Sequence, residues 1–133
     1  MNFVSVRIIT DDIRRLVSFY ERVLNLTPTW FTDDFAEFGT PTATLAIGST
    51  RTLAMFGQNI AEAASNRSAI IEFLVDDVDA RHASLASGGL PVVQAPTTMP
   101  WGNRSLLLRD PDGALVNLFT PVTEMARKKF GLT

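Results

Sequence analysis

The chain has 133 residues, of which 46% are hydrophobic and 20% are charged. This composition supports a buried core and excludes a disordered protein. A formal net charge of −2 lacks the basic footprint of nucleic-acid binding, and no apolar run reaches the ~18 residues of a membrane span. The chain begins with a strand pattern instead of a signal peptide, and it contains no cysteine. We therefore expect a cytoplasmic protein without disulfides, nucleic-acid partner or membrane partner.

Two segments of the chain repeat one pattern. Val6–Leu24 reads VRIITDDIRRLVSFYERVL, and Ile71–Gly89 reads IEFLVDDVDARHASLASGG. In each segment a strand-like run ends in two aspartates, and an amphipathic helix follows. A second pair, Leu53–Phe56 and Val116–Phe119, continues the repeat downstream. Because an internal repeat dictates the architecture, the sequence predicts two copies of one β-α-β-β-β unit.

The elements of the first module follow in chain order. A strand is predicted over Phe3–Ile9, and Asp11 or Asp12 caps a helix whose apolar residues recur over Ile13–Leu24. Asn25 stands where a helix needs a left-handed terminator. The three closing strands are predicted at Thr27–Phe31, at Phe35–Gly39 with Thr42–Ile47, and at Thr52–Phe56.

The second module begins after a linker. Its helix is predicted over Val78–Ser87, and Asp110-Pro111-Asp112-Gly113 is a strong hairpin-turn signal. Its strands are predicted at Pro91–Gln94, Ser105–Leu108 and Ala114–Thr120. The predicted organisation is a first module at 1–57, a linker at 58–67, a second module at 68–122 and a short basic tail at 123–133.

Three segments carry a family resemblance: VRIITDDIRRLVSFYERVLNL, AIIEFLVDDVDARHASLASGG and MPWGNRSLLLRDPDGALVNLFTP. They resemble the vicinal oxygen chelate superfamily, which includes glyoxalase I, bleomycin-resistance proteins and extradiol dioxygenases. The resemblance implies an α+β fold of two tandem βαβββ modules. It further implies that their mixed sheet curls around a cleft, with the helices on the convex side. A fold of this kind does not by itself imply a reaction.

The resemblance also implies where metal ligands would lie. Metal enzymes of the superfamily carry His, Glu or Gln at four strand positions, which fall here on Ser5, Ala54, Ile70 and Asn117. None of these offers the imidazole, thiolate or carboxylate that a divalent transition metal requires. The one histidine, His82, falls on the apolar face of the second helix, where packing is expected ahead of catalysis. We therefore predict no metal and no cofactor.

Two charged residues are predicted to face the cleft. Side chains two apart on a strand share a face, which puts Arg7 beside Ser5, and Glu72 beside Ile70. The two charges occupy equivalent positions in the repeat, and two interpretations are open. They form a salt bridge with each other, or they contact polar groups of a ligand. Glu72 is also the one candidate for a catalytic base.

Aromatic residues supply a second kind of candidate. Trp101, in a loop between Pro100 and Gly102, and Trp30, in a predicted strand, are placed to stack on a planar ligand. The alternative for both is ordinary core or interface packing. Arg104 either fixes its loop through an acidic partner or meets the ligand.

The leading hypothesis for function is a metal-free small-molecule-binding protein of the bleomycin-resistance type. Its ligand-binding residues are predicted to be Ser5, Arg7, Trp30, Glu72, Trp101, Arg104 and Asn117. Two enzymatic alternatives are a lactoylglutathione-lyase-like or dioxygenase-like enzyme, which needs a metal, and a metal-free acid–base enzyme that uses Glu72. We further expect a homodimer, because a small repeat with apolar strand faces has surface to cover.

Overall fold

Each repeat forms a four-stranded mixed sheet with a helix against one of its faces. The structure, a computed structural model, describes residues 1–133. Its elements are β1 (Ser5–Thr10), α1 (Ile13–Leu24), β2 (Thr29–Thr32), β3 (Phe35–Gly39), β4 (Thr44–Ser49), β5 (Ile70–Leu74), α2 (Val78–Ser87), β6 (Gln94–Thr98), β7 (Asn103–Arg109), β8 (Leu115–Pro121) and α3 (Glu124–Lys129). The strand orders are β1-β4-β3-β2 and β5-β8-β7-β6. The predicted α+β class with two tandem βαβββ modules is confirmed.

The two sheets share one pairing scheme. In each, the first and last strands of the module pair in parallel, β1 with β4 and β5 with β8. The remaining pairs are antiparallel. A parallel pair needs a long crossover, and the helix together with the intervening hairpin supplies it. No helix is both long enough and apolar enough to cross a membrane.

Helix α1 is built as its sequence predicts. The Asp12 carboxylate accepts a hydrogen bond from the backbone N–H of Arg15 at 3.2 Å, which caps the first turn. Asn25 ends the helix in the left-handed conformation, at φ 52° and ψ 42°. Its seven buried side chains form one apolar stripe: Ile13, Leu16, Val17, Phe19, Tyr20, Val23 and Leu24.

Helix α2 is attached differently. Asp77 caps it through the backbone N–H of Ala80 at 3.0 Å, but only Val78 and Leu85 are buried. The second helix is therefore much less amphipathic than its place in the repeat predicts. Polar contacts hold its first turn, including a hydrogen bond from the Val78 backbone N–H to Thr120 Oγ1 at 2.9 Å.

The predicted strand at Thr52–Phe56 is wrong. The chain forms a 3₁₀ turn at Thr50–Leu53 instead, and β4 at Thr44–Ser49 is the strand that pairs with β1. Local hydrogen bonds bend the chain away from the sheet. Thr52 Oγ1 donates to the Ser49 carbonyl at 2.7 Å, and Asp34 accepts from Ser49 Oγ and Arg51 Nε at 2.8 Å each. The segment predicted as one strand with a short break is two antiparallel strands, β3 and β4.

The predicted strand at Pro91–Gln94 is also displaced. The observed β6 covers Gln94–Thr98 and lies at the sheet edge. Pro96 falls within an irregularity of its pairing with β7, where the missing N–H of proline costs no ladder bond.

By compactness the chain divides into two units. The first comprises Met1–Asn66 together with the turn Asp110–Gly113, and the second comprises Arg67–Arg109 with Ala114–Thr133. The predicted hairpin turn is confirmed, with Gly113 at φ +90° and its N–H bonded to the Asp110 carbonyl at 2.9 Å. Asp110 is buried in the first unit, where the Tyr20 hydroxyl donates to its Oδ2 at 2.7 Å.

Candidate functional site

The open face of the first sheet is the face opposite α1. Phe38, whose ring centroid lies 6.4 Å from that of Tyr20 in α1, marks the helix side. Arg7 and Glu37 both pair with Ala46 in register and alternate with the helix-side residues. The predicted orientation of Arg7, on the face away from the helix, therefore agrees with the strand register.

Aromatic rings surround Arg7 on this open face. Its guanidinium lies 5.2 Å from the ring centroid of Phe35 and 6.0 Å from that of Phe56. The Phe31 ring extends the cluster, 5.9 Å from Phe35. A guanidinium at this distance is attracted to the negative face of a phenyl ring. Phe31 and Phe56 are exposed, so the cluster presents a cation and phenyl surfaces together.

The open face of the second sheet carries opposite chemistry. Arg104 contacts α2 and so marks the helix side of β7, while Glu72, Asn117 and Leu107 form a row on the opposite side. The Asn117 side-chain amide donates to Glu72 Oε2 at 2.8 Å. This bond confirms that the two side chains share a face.

Two buried polar side chains, Asn117 and Ser105, lie on this face. Asn117 is 8% exposed and Ser105 is 3% exposed. Asn117 Oδ1 and Ser105 Oγ have no hydrogen-bond partner in the protein. Most buried polar atoms in proteins are paired, so these two unpaired atoms are candidates for contact with a ligand or a water molecule.

One of the four superfamily ligand positions changes with the corrected strand. Asn117 pairs with Glu72 across β8 and β5, and Ala46 pairs with Arg7 across β4 and β1. The position assigned to Ala54 in the sequence therefore falls on Ala46, because residue 54 follows the 3₁₀ turn and belongs to no strand.

The corrected donor set is Ser5, Ala46, Ile70 and Asn117. Two of its members have no donor atom, and the other two are neutral, which does not fit a divalent transition metal. No group of three or more His, Cys, Asp or Glu side chains is arranged to hold a metal ion.

The two tryptophans lie in different settings. Trp101 is 65% exposed in the turn between β6 and β7. Trp30 pairs with Ala36 on the helix side of the first sheet, where the Arg14 guanidinium lies 5.4 Å from its ring centroid. Trp30 is therefore on the face opposite Arg7, and the structure does not bring the two together.

The turn that carries Trp101 is fixed to the segment before α3. The Gly102 carbonyl accepts from the backbone N–H of Val122 at 2.9 Å. Gly102 has φ +94°, and a Cβ there would overlap the Thr123 hydroxyl. Glycine is needed both for the backbone conformation and for the close approach. The exposed indole is thus held on an ordered turn.

The sequence left two alternatives for Arg104, an acidic partner or contact with a ligand. The structure gives it an acidic partner. Its Nε and Nη2 donate to the two Asp79 carboxylate oxygens at 2.7 and 2.9 Å. This bidentate bond lowers the pKa of Asp79 and raises that of Arg104. His82 is half-buried on α2, one turn after Asp79.

Three residues with a place on the open faces were absent from the predicted site. Phe35 and Phe56 flank Arg7, and Ser105 lies beside Asn117 on the second sheet. Ser105 could have been found by alternation, because it stands between the helix-side residues Arg104 and Leu106. Phe56 follows the 3₁₀ turn and reaches Arg7 from an irregular segment instead of from the predicted strand at Thr52–Phe56.

Comparison with known proteins agrees with this architecture. The family model of the Glyoxalase/Bleomycin resistance protein/Dioxygenase superfamily matches residues 2–118. A comparison with curated proteins gives no match. Among solved structures, a protein of unknown function from Agrobacterium tumefaciens str. C58 superposes with a TM-score of 0.75 at 28% identity, over 90% of this chain and 94% of that chain.

Two further structures are similar in fold. A glyoxalase/bleomycin resistance protein/dioxygenase from Nocardioides has a TM-score of 0.74 at 21% identity, over 93% of this chain and 85% of that one. A lactoylglutathione lyase from Agrobacterium tumefaciens has a TM-score of 0.70 at 20% identity, over 89% and 92%. With a family match across most of its length, this chain belongs to the glyoxalase/bleomycin resistance protein/dioxygenase superfamily.

Proposed function

We propose that this protein binds a small aromatic or polar molecule on the open faces of its sheets and does so without a transition metal. The observation that carries the proposal is the donor set at the superfamily's ligand positions. Ser5, Ala46, Ile70 and Asn117 contain no imidazole or carboxylate, so the metal chemistry of the superfamily has no ligands to support it. Binding needs no such ligands.

The chemistry of the open faces supports a binding role. Small-molecule sites combine apolar and aromatic surface with a few well-placed polar groups. The first sheet offers Arg7 among phenyl rings, and the second offers Glu72, Asn117 and Ser105. The groups of the first sheet suit a ring or an anion, and those of the second sheet suit a hydrogen-bond donor.

A lyase activity is the less favoured function. One of the similar structures is a lactoylglutathione lyase, but that relationship is in fold only. Lewis-acid catalysis depends on a metal that is held by protein ligands. Without a suitable donor set at the corresponding positions, we derive no step of that kind for this chain.

Elemental analysis of the purified protein tests the metal-free part of the proposal. We expect far less than one equivalent of nickel, zinc, manganese or iron per chain after incubation with each ion and desalting. Asn117→Ala is the matched control, and it should carry no less metal than the parent protein. Stoichiometric metal in the parent protein, removed by Asn117→Ala, would falsify the proposal.

We also propose a homodimer. β1 is an edge strand, and the exposed side chains Phe3, Val4 and Val6 lie on it or just before it. An apolar edge of this kind invites pairing with another chain. Light scattering at micromolar concentration should give twice the monomer mass, and Val6→Lys should reduce it to the monomer mass. A monomeric parent protein contradicts the dimer and leaves the binding proposal unaffected.

A further inference from the structure

We propose that Glu72, Asn117 and Ser105 form a subsite for a primary ammonium group, on the open face of the second sheet. The inference rests on the proposed binding function and names the chemical class of the ligand. The ligand is a small amine with an apolar or aromatic body.

The subsite is built from two neighbouring strand pairs. Asn117 stands opposite Glu72 in β5 and opposite Leu107 in β7. Ser105 stands opposite Phe119, two residues along β8 from Asn117. Ser105 and Asn117 are therefore diagonal neighbours on one face, roughly 7–8 Å apart at their backbones. The atoms concerned, Asn117 Oδ1 and Ser105 Oγ, are buried, so an ammonium group reaches them only when neighbouring side chains move aside.

The free atoms of the subsite are suited to hydrogen-bond donors. Asn117 uses its amide N–H to reach Glu72, which leaves its Oδ1 without a partner in the protein. An amide oxygen and a carboxylate only accept hydrogen bonds, and the unpartnered Ser105 hydroxyl can accept one too. The subsite thus offers acceptors on three side chains, and an ammonium group offers three N–H donors.

The charge of the subsite favours a cation. The hydrogen-bond partner of the Glu72 carboxylate is a neutral amide, so its negative charge is left for an incoming group. Hydrogen bonds between an ammonium and a carboxylate are stronger than those between neutral groups. A neutral alcohol of the same shape would gain less, and an anion would be repelled.

Apolar side chains flank the charge along β5. Ile70 and Leu74 lie two residues before and two after Glu72, on the same face, and they are 52% and 41% exposed. Exposed aliphatic groups on both sides of a carboxylate match an amine that carries a hydrocarbon body. The repeat-equivalent position on the first sheet is Arg7, whose positive charge would repel the same ligand.

The test uses three probes of matched shape with the full-length protein. Phenethylamine carries the ammonium group, 2-phenylethanol is its neutral counterpart, and 3-phenylpropionate carries a negative charge. Amide chemical shifts are followed by NMR during each titration. We expect phenethylamine to bind with an affinity on the order of 1 mM, typical of a fragment this small. It should perturb the amides of Ile70–Leu74 and Leu115–Phe119, and the other two probes should bind there at least about tenfold more weakly.

Three variants separate recognition from folding. Glu72→Gln keeps the shape and removes the charge, so phenethylamine should bind about tenfold more weakly. Glu21→Gln is the matched control, because it makes the same change at an exposed glutamate of α1, and it should not weaken binding. Ser105→Ala should weaken binding while leaving the melting temperature unchanged or higher, because the hydroxyl has no partner to lose. A purely structural serine would instead lower the melting temperature.

Each outcome bears on the inference. If phenethylamine does not bind at the second sheet, or binds equally well to the Glu72→Gln protein, the ammonium subsite is wrong. If 2-phenylethanol or 3-phenylpropionate binds an open face in that case, the proposed binding function stands without the subsite. If none of the three probes, nor any compound of a broader aromatic panel, binds either open face, both proposals fail.

Discussion

The two modules attach their helices to their sheets in different ways. Helix α1 buries seven side chains, whereas α2 buries two and relies on the bidentate Arg104–Asp79 bond and on the Val78–Thr120 hydrogen bond. Position by position, Leu16 of α1 corresponds to Arg81 of α2, and Val17 to His82. Burial of apolar surface contributes more to stability than exposed polar pairs do. Helix α1 is therefore held to its sheet more strongly than α2.

The open faces differ in the same repeat. Arg7 and Glu72 stand at equivalent positions, one among phenyl rings and the other beside an amide. The shared strand register shows that the fold constrains the backbone while leaving these side chains free to vary. The helices are packed on one side of each sheet. The opposite, open faces of the two sheets differ in charge, with Arg7 on one and Glu72 on the other. Mutations at paired positions can test this division.

The largest effect is expected from Leu16→Ala, with Arg81→Ala as the matched variant at the equivalent position. Leu16 is fully buried, so its truncation should lower the free energy of unfolding by about 2–5 kcal/mol. Arg81→Ala should change it by no more than about 0.5 kcal/mol. Urea denaturation followed by circular dichroism measures both. Equal losses in the two variants would contradict the difference between the helices.

A smaller loss is expected from Tyr20→Phe. The Tyr20 hydroxyl donates to buried Asp110, and removing it leaves a buried acceptor without that donor, at a cost of about 1–3 kcal/mol. The equivalent position in α2 is Leu85, which has no such bond to lose. Urea denaturation of Tyr20→Phe at neutral pH gives the cost, and a loss below about 0.5 kcal/mol would show that the bond does not hold the turn.

The same residue predicts an alkaline limit to stability. Burial, reinforced by the charge of Asp110 and the hydrogen bond to it, raises the pKa of Tyr20 well above its ordinary value. A raised folded-state pKa means that the contribution is fully present below the unfolded pKa of about 10. It is lost as the pH rises above that value, by up to about 1.4 kcal/mol per pH unit.

Tyrosinate absorbance can follow this transition, because the chain has one tyrosine. Tyrosinate should appear only together with unfolding, and Tyr20→Phe should remove this component of the alkaline loss. Tyrosinate formation in the folded protein near pH 10 would contradict the buried environment.

The smallest effect on stability is expected from Trp101→Ala. The side chain is 65% exposed, so the free energy of unfolding should change by no more than about 0.5 kcal/mol. If the indole stacks on a planar ligand, affinity should fall by about tenfold, since a stacked ring contributes about 0.5–1.5 kcal/mol beyond its buried area.

Fluorescence titrations with a panel of planar aromatic compounds measure this loss, and Trp30→Phe is the control on the helix side of the first sheet. A Trp101→Ala protein that unfolds would place the ring in the core. Undiminished affinity of that variant for a quenching ligand would remove the stacking role.

Local patterns in the sequence predicted the elements whose signals lie within a few residues. The caps at Asp12 and Asp77, the left-handed Asn25 and the turn at Asp110–Gly113 all depend on hydrogen bonds or backbone angles within a few residues. The orientations of Arg7 and Glu72 followed from strand alternation, whose period of two is a property of the backbone. The repeat supplied the architecture, because two similar patterns fold into similar units.

The strand that closes the first module depends on contacts between residues far apart along the chain. Leu53–Phe56 looks like a strand in composition, but pairing of β4 with β1 and the hydrogen bonds around Asp34 make the chain turn after Ser49. That pairing moved one superfamily ligand position from Ala54 to Ala46. It also decided the partners of Arg104 and the surroundings of Arg7, Trp30 and Ser105. Contacts of this kind join residues distant along the chain, and no local pattern encodes them.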